Sequence, residues 1–441
     1  MADNKQLAFL SRRRFLKGIG AAGGALTLSG PVMFRGMAQD APPQVPVGAL
    51  FAFTGGLSEF GPNFERAAQL AVDHINNAAN QVFGGPIMRL VVEDTGTAPS
   101  QGVDRASSLV NQQGVPAIIG ALSSGVSQAV AESVTVDANV LQISPASTSP
   151  VFSAPPFDET FFRTTVTDVQ QGVVAAMLAR GEIVDGYSND TASVMYTNNA
   201  YGQGLNDVFA AAFERRDGTV LAQVPHQAGT PEPTYVDDLE QALANNPDII
   251  LTPSYPGAST VFMQEALEQF DFTSFQHTDG TKSEDNIDAL GLENLQGQFG
   301  TAPGSPSGRE SFQMFNNMYA ERYGRTPPLP FMAQTYDAAF IVGLTIAKAI
   351  ADGEDPTSGS VLIDRIRDVS NPPGESVGVG PKGSMAGLEQ INGGTDIDYS
   401  GASGEQNFNE VGDVAGAGIQ IWKYGEEGIE TVTTIQDVPA K

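Results

Sequence analysis

From Val45 onward, short apolar runs alternate with stretches of helical period. Residues 47–53 form an apolar run of strand length. Phe64, Ala67, Ala68, Ala71 and Ile75 then recur on one face at a period of 3.6, which predicts a helix over 62–78. The same reading predicts strands at 88–93, 117–120 and 140–143, a helix at 103–112, and a helix running from Ser124 toward 136. The order is βαβαβαβ with short turns, the mark of a parallel sheet covered on both faces. The rhythm restarts after Phe161-Phe162-Arg163-Thr164-Thr165. Helices are predicted at 172–180, 205–215, 235–243 and 261–270, with strands at 192–196, 220–224, 248–251 and 272–277. A second α/β unit of similar design follows from this.

Three helical patterns come next, at 310–323, 331–350 and 361–369, and a late strand at 416–424. Residues 302–308 and 371–380 are rich in Gly, Pro and Ser and read as loops or crossovers. The polar, glycine-rich stretch 385–404 receives no assignment. No short-period repeat is visible beyond the likeness of the two halves.

The amino terminus carries a different signal. Ser11-Arg12-Arg13-Arg14-Phe15-Leu16-Lys17 precedes a weakly apolar run, 18–32, and then Gly36-Met37-Ala38. This is the order of a twin-arginine export signal with small residues at the cleavage positions, so residues 1–38 are expected to be removed. The working protein then begins near Gln39 and acts outside the cytoplasm, at the cell surface or in a periplasm-like space. The run is too short and small-sided to span a bilayer stably. Gly18-x-Gly20-x-x-Gly23 formally matches a dinucleotide fingerprint, but it follows basic residues rather than a strand and is discarded.

A mature chain of about 400 residues suits two domains of about 200, each large enough to bury its own core. The formal charge is -28, and the first 38 residues hold six of the 23 basic groups and one of the 51 acidic ones. Without them the balance moves to -33, a field that repels nucleic acid and anionic membranes. Beyond the export signal only Lys282, Lys348, Lys382, Lys423 and Lys441 remain as lysines. Acid excess with scarce lysine, over a normal globular composition, points to a surface adapted to high salt. In molar salt the Debye length is about 3 Å and self-repulsion is screened. Disorder is the rival explanation, and the normal apolar content and recurrent periodicity exclude it.

The chain has no cysteine, which removes disulfides, thiol catalysis, thiolate metal sites and a lipid anchor on a processed amino-terminal Cys. His74, His226 and His277 lack metal-ligand spacing, and Asp396-x-Asp398 is too short for a calcium loop. No P-loop or H-E-x-x-H occurs. Catalytic residues, metals and cofactors are therefore not expected.

Two loops carry candidate chemistry. Gly120-Ala121-Leu122-Ser123-Ser124-Gly125 lies where a strand ends and a helix begins. Ligands of open α/β sheets bind outside the carboxyl ends of the strands, and a helix amino terminus suits a carboxylate. Ile143-Ser144-Pro145-Ala146-Ser147-Thr148 ends the next strand in a loop whose carbonyls and hydroxyls can grip an ammonium and the same carboxylate. Taken alone, Ser124 is a helix cap and the second loop is a turn.

Together these segments resemble the type I periplasmic binding proteins, in the branch that serves branched-chain amino acid ABC transporters. The resemblance spans about residues 45–424. It includes Phe51-x-x-Thr54-Gly55 through Phe60-Gly61, Glu93-Asp94-Thr95, and the Gly-x-x-Ser-Ser and Ser-Pro-Ala-x-Thr loops. Further on it includes Tyr201-Gly202-x-Gly204, Tyr255, Thr335-Tyr336-Asp337-Ala338, Tyr399-x-Gly401-Ala402-x-Gly404 and Phe408-x-x-x-Gly412-Asp413. The resemblance implies two doubly wound α/β lobes joined by three hinge crossovers, near Thr165, near Ala302 and within 374–394. The first lobe would comprise 45–165 and 302–372, the second 166–301 and 395–436. Ser124, with Ser123 beside it, and Thr148 would hold a ligand carboxylate. The Ala146 carbonyl and Asp279 would hold its ammonium. Phe60, Tyr201, Tyr255 and Phe331 would wall the side-chain pocket.

The implied function is capture of a small amino acid-like ligand, branched-chain or otherwise apolar, and its delivery to an ABC permease by a monomeric receptor without cofactors. The chain departs from the pattern in three ways. It has neither the lipid-anchor Cys nor the small disulfide of many relatives. Asp279 stands where Glu is common, one methylene shorter, which favours a smaller or differently placed amine or a bridging water. The stretch 385–404 is longer than usual. An amide, urea or aromatic-acid receptor of the same family is the alternative, and a secreted hydrolase a more distant one. A sensory ectodomain is set aside because no downstream membrane segment is seen.

Overall fold

The computed structural model describes residues 42–436, apart from 158, 305–307 and 415–417, together with residue 438. The export-signal reading of residues 1–38 falls outside the described residues. The first sheet comprises β1 (Val45–Phe51), β2 (Met88–Asp94), β3 (Ala117–Gly120), β4 (Leu141–Ser144) and β5 (Phe161–Arg163). Its order is β2-β1-β3-β4-β5 and every pair is parallel. β3 and β4 are buried along their whole length, as in a sheet covered on both faces, with Gln142 and Ser144 of β4 hydrogen-bonded to the Gly120 and Ala121 carbonyls.

The chain continues through β6 (Thr191–Thr197), β7 (Thr219–His226), β8 (Ile249–Thr252), β9 (Phe275–His277) and β10 (Phe299–Gly304). β11 (Glu375–Val377) and β12 (Ile397–Tyr399) pair with each other apart from the main sheets. β13 (Gly418–Tyr424) and β14 (Ile429–Ile435) complete a second sheet of order β14-β13-β10-β9-β8-β6-β7. β13 and β14 join it antiparallel and the rest is parallel. Two parallel-sheet lobes are thus present, as the alternating pattern predicts.

Helix Phe60–Val82 buries Phe64, Ala67, Ala68, Ala71 and Ile75, the face its periodicity marks. It packs on helix Met332–Asp352, which is apolar nearly all round. That second helix is in turn covered by Gly359–Ser370 and Gly380–Asn392. A helix apolar on every face is stable in water only when buried this way.

Three departures from the sequence reading have physical causes. Part of the expected loop 302–308 is the end of β10, a strand held by β13 rather than by its own Gly and Pro content. The unassigned stretch 385–404 holds most of helix Gly380–Asn392 and all of β12. Glycines of low helix propensity hid that helix. A Cβ on Gly383 would lie 1.8 Å from the Gly378 carbonyl oxygen, so packing selects glycine there. Finally, Tyr399, Ala402, Phe408 and Val414 share one core with β1 and helix Met332–Asp352. These residues pack with the first sheet and its helices, where the resemblance puts 395–436 in the second lobe.

Asp337 ties the late segment down. Its carboxylate accepts hydrogen bonds from the Tyr399 hydroxyl (2.7 Å), the Ala402 and Ser403 amides (both 2.8 Å) and the Ser403 hydroxyl (2.6 Å). Gly401 has no room for a side chain, because a Cβ would stand 2.6 Å from Asp337 Oδ2.

Candidate binding site between the lobes

β3 and β4 end at the same edge of the first sheet, so the loops after them meet there. Side chains stitch the loops together. The Ser144 hydroxyl donates to the Ala121 carbonyl (2.6 Å) and accepts from the Ser147 amide (2.9 Å), while Ser147 and Ser127 hydroxyls pair at 2.8 Å. Arg163, fully buried at the end of β5, donates to the Ser147 and Ser149 carbonyls (3.2 and 2.7 Å) and to Asp413 (2.5 Å). The loop bearing Ala146 and Thr148 is thereby fixed from behind.

The second lobe supplies the facing wall. Tyr201 opens helix Ala200–Glu214, whose first amides donate to the Asn199 side chain (3.0 and 3.1 Å). Tyr255 precedes helix Pro256–Phe270, and its ring stacks on Tyr201 at 5.7 Å between centroids and 11° between planes. Asp279 stands on a single 3₁₀ turn after β9.

Between the lobes lies a narrow pocket lined by Leu57, Phe60, Leu122, Ser124, Ala146, Tyr201, Tyr255, Asp279, Gly280 and Phe331. Every site residue expected from sequence lines it except Ser123 and Thr148. The Ser123 hydroxyl instead pairs with the Tyr255 hydroxyl (3.0 Å), a contact across the lobes. Thr148 is fully buried, and its hydroxyl has no hydrogen-bond partner.

The electrostatics are dominated by acids. Asp279 Oδ1 accepts from the Gln171 amide (2.5 Å) and the Tyr201 hydroxyl (3.0 Å), yet burial pushes its pKa up to about 6. Asp168 is fully buried beside it, and its backbone amide donates to the Thr148 carbonyl (2.9 Å). Neither Asp168 carboxylate oxygen has a partner in hydrogen-bonding geometry. Burial first, and the Asp279 charge second, raise its pKa well above the carboxylate range, while nearby Thr148 and Arg163 pull the other way. Two coupled, desolvated carboxyls beside one pocket favour a cationic group there. Sequence reading missed Asp168 and Gln171. An acid in the first turn of helix Asp168–Ala179 reads as ordinary helix-dipole compensation.

The arrangement offers binding groups rather than an activated nucleophile. Ser124 Oγ accepts from the Ser149 amide (3.4 Å). A Ser254–His226 pair exists (2.8 Å), but both residues are buried and the other ring nitrogen faces the Gln227 carbonyl. Among the described residues no group of His, Cys, Asp and Glu is arranged to hold a metal ion.

The lobes also touch at the pocket rim. The Gly56 amide donates to the Gly229 carbonyl (3.1 Å), and the Ser283 hydroxyl donates to Glu59. Burial pushes Glu59 up to about 7, and Asp285 and Glu284 add repulsion. When the lobes part and Glu59 is hydrated, its pKa relaxes toward 4.5, so the closed form binds the proton more tightly. This contribution to closure is complete below about pH 4.5 and is lost as pH rises through about 7. Small-angle scattering of the ligand-free protein is expected to show opening over that range. Glu59→Gln should flatten the response, and an unchanged profile in that variant would show that Glu59 does not control closure.

A family model described as periplasmic binding protein matches residues 44–384, and the chain belongs to that family. The chain is 29% identical over 401 residues to the chemotactic signal transduction system substrate-binding protein BasB of Halobacterium salinarum, covering 88% of each. Its fold is similar to that of the leucine binding protein LivK of Thermotoga maritima, with TM-score 0.72 and 23% identity over 89% of this chain and 99% of that one. It is also similar to LivJ of Streptococcus pneumoniae, solved in complex with isoleucine, with TM-score 0.70 and 18% identity over 90% and 100%. The protein is therefore a substrate-binding receptor of this family. Among the described residues no helix is long and apolar enough to cross a membrane.

Proposed function

We propose that this protein captures an α-amino acid with an apolar side chain between its lobes, outside the cytoplasm, and hands it to an ABC permease. The observation that carries this reading is the juxtaposition of buried Asp279, with Asp168 buried beside it outside the lining, and the strand-end loops of Ser124 and Ala146 around a largely apolar pocket. In this reading the Ala146 carbonyl and the two acids hold the ammonium. Ser124 and Thr148 hold the carboxylate with hydroxyl and backbone N–H groups. Phe60, Leu122, Tyr201, Tyr255 and Phe331 sort side chains by shape. The ligand completes contacts that neither lobe makes alone, so it favours the closed form by its differential affinity for it. No bond is made or broken. Export by the twin-arginine route and action as a monomer belong to the same proposal. A chemotactic transducer is a further candidate partner, on the strength of the relative's name.

One observation favours a second reading. With its pKa near 6, Asp279 is readily protonated and then donates a hydrogen bond, which suits an amide or an aromatic acid. A thermal-shift screen in molar salt, against amino acids, amides, urea and small carboxylates, separates the two. A ligand that binds the native state raises Tm by mass action. Leucine, isoleucine or valine are expected to do so. A rise with amides or aromatic acids alone would replace the amino-acid reading, and no rise with any compound would remove both.

A further inference from the structure

A second cavity lies between the lobes, and Phe331 lines both it and the first pocket. The first lobe contributes Asn316, Gln334 and the proline-rich turn at 326–330. The second contributes Lys282, Gln420 and Thr431. The chain carries 51 acidic residues, yet no Asp or Glu lines this cavity.

Lys282 is partly buried and, unlike Lys348 and Lys423, has no carboxylate partner among the described residues. Lys348 and Lys423 pair with Asp352 and Glu430. Among the described residues no carboxylate lies within ion-pair distance of Lys282. Its ammonium donates to Gln420 Oε1 and stands 5.9 Å from the centre of the Trp422 ring. Gln420 is itself held by the Thr431 hydroxyl (2.8 Å). A neutral amide and an aromatic face orient a cation without neutralising it. Burial alone lowers the pKa of Lys282, to about 8, so the group is still charged at neutral pH. A partly buried charge of this kind favours a counter-charge beside it.

We propose that the cavity around Lys282 is an anion subsite that takes a single negative charge, halide or carboxylate, when the lobes close. The charge comes either from a free ion or from the far carboxylate of a ligand whose head occupies the first pocket. Residues of both lobes line the cavity, so a bound anion favours closure, and by linkage it tightens whatever the first pocket holds.

Titration with sodium bromide tests the free-ion source. Tm of the wild type is expected to rise saturably above that of Lys282→Gln at matched salt, and Lys282→Arg should retain the response. Gln420→Glu supplies a built-in carboxylate. It should fold, and it should lose the bromide response even if Lys282→Gln is unstable. Anomalous scattering from bromide-soaked crystals should place an ion beside Nζ. The far-carboxylate source is tested by comparing 2-aminoadipate with leucine. Lys282→Gln should weaken the former by roughly 30-fold or more and the latter little. This arm alone rests on the amino-acid reading. Identical bromide curves for wild type, Lys282→Gln and Gln420→Glu, with no Lys282 dependence for 2-aminoadipate, would overturn the proposal while leaving that reading standing.

Discussion

Asp279→Asn is expected to weaken binding of an α-amino acid by about 100- to 1,000-fold, the cost of removing one partner of a buried charge pair. The same variant should bind a neutral amide nearly as well as the wild type does. The pH dependence gives an independent check. In the ligand-free protein burial pushes Asp279 up to about 6 and raises Asp168 well above its ordinary value. An ammonium beside them favours their charged forms, so the free protein binds more protons than the complex. Affinity for an amino acid should therefore rise as pH increases through about 6, with protons released on binding. Calorimetry in buffers of different ionisation enthalpy measures both quantities. A pH-independent affinity, or a full-strength Asp279→Asn variant, would exclude an ammonium contact at Asp279.

Asp337→Ala should destabilise the protein by about 3–5 kcal/mol, because two amides and two hydroxyls lose their buried acceptor together. The loss is expected in chemical denaturation as well as in Tm, and ligand affinity should change little at temperatures where the variant is folded. Burial pushes Asp337 up to about 6. Its own pH-linked contribution is thus complete below about 3.8 and fades as pH rises through about 6, and Asp337→Asn removes that dependence. A variant as stable as the wild type would show that residues 399–403 are held by other contacts.

This carboxylate joins two of the segments that carry the resemblance, Thr335-Tyr336-Asp337-Ala338 and Tyr399-x-Gly401-Ala402-x-Gly404. One is the acceptor, and the other is the loop of donors shaped to reach it, with Gly401 leaving space for the carboxylate. The resemblance read from the sequence has a structural cause at this point.

Local patterns were legible where local physics decides them. β3 coincides with its apolar run at 117–120, and helix Glu310–Tyr323 has the bounds its periodicity predicts. The strand-to-helix turn at Gly120–Ser124 marked one wall of the pocket because ligands of parallel sheets gather at strand ends. The amino-acid sequence by itself thus determined the alternation of elements, the two-lobe class, the acidic surface and most of the pocket lining.

The rest depended on contacts between distant residues. β5, β10 and β14 are short, end in turn-forming residues or are only half-buried, and they exist because a neighbouring strand pairs with them. Helix Gly380–Asn392 forms where packing overrides the low propensity of its glycines. Asp168 and Lys282 look like surface charges in the sequence. Only the tertiary structure buries one beside Asp279 and leaves the other without a carboxylate, because burial and charge pairing are set by what the fold brings near.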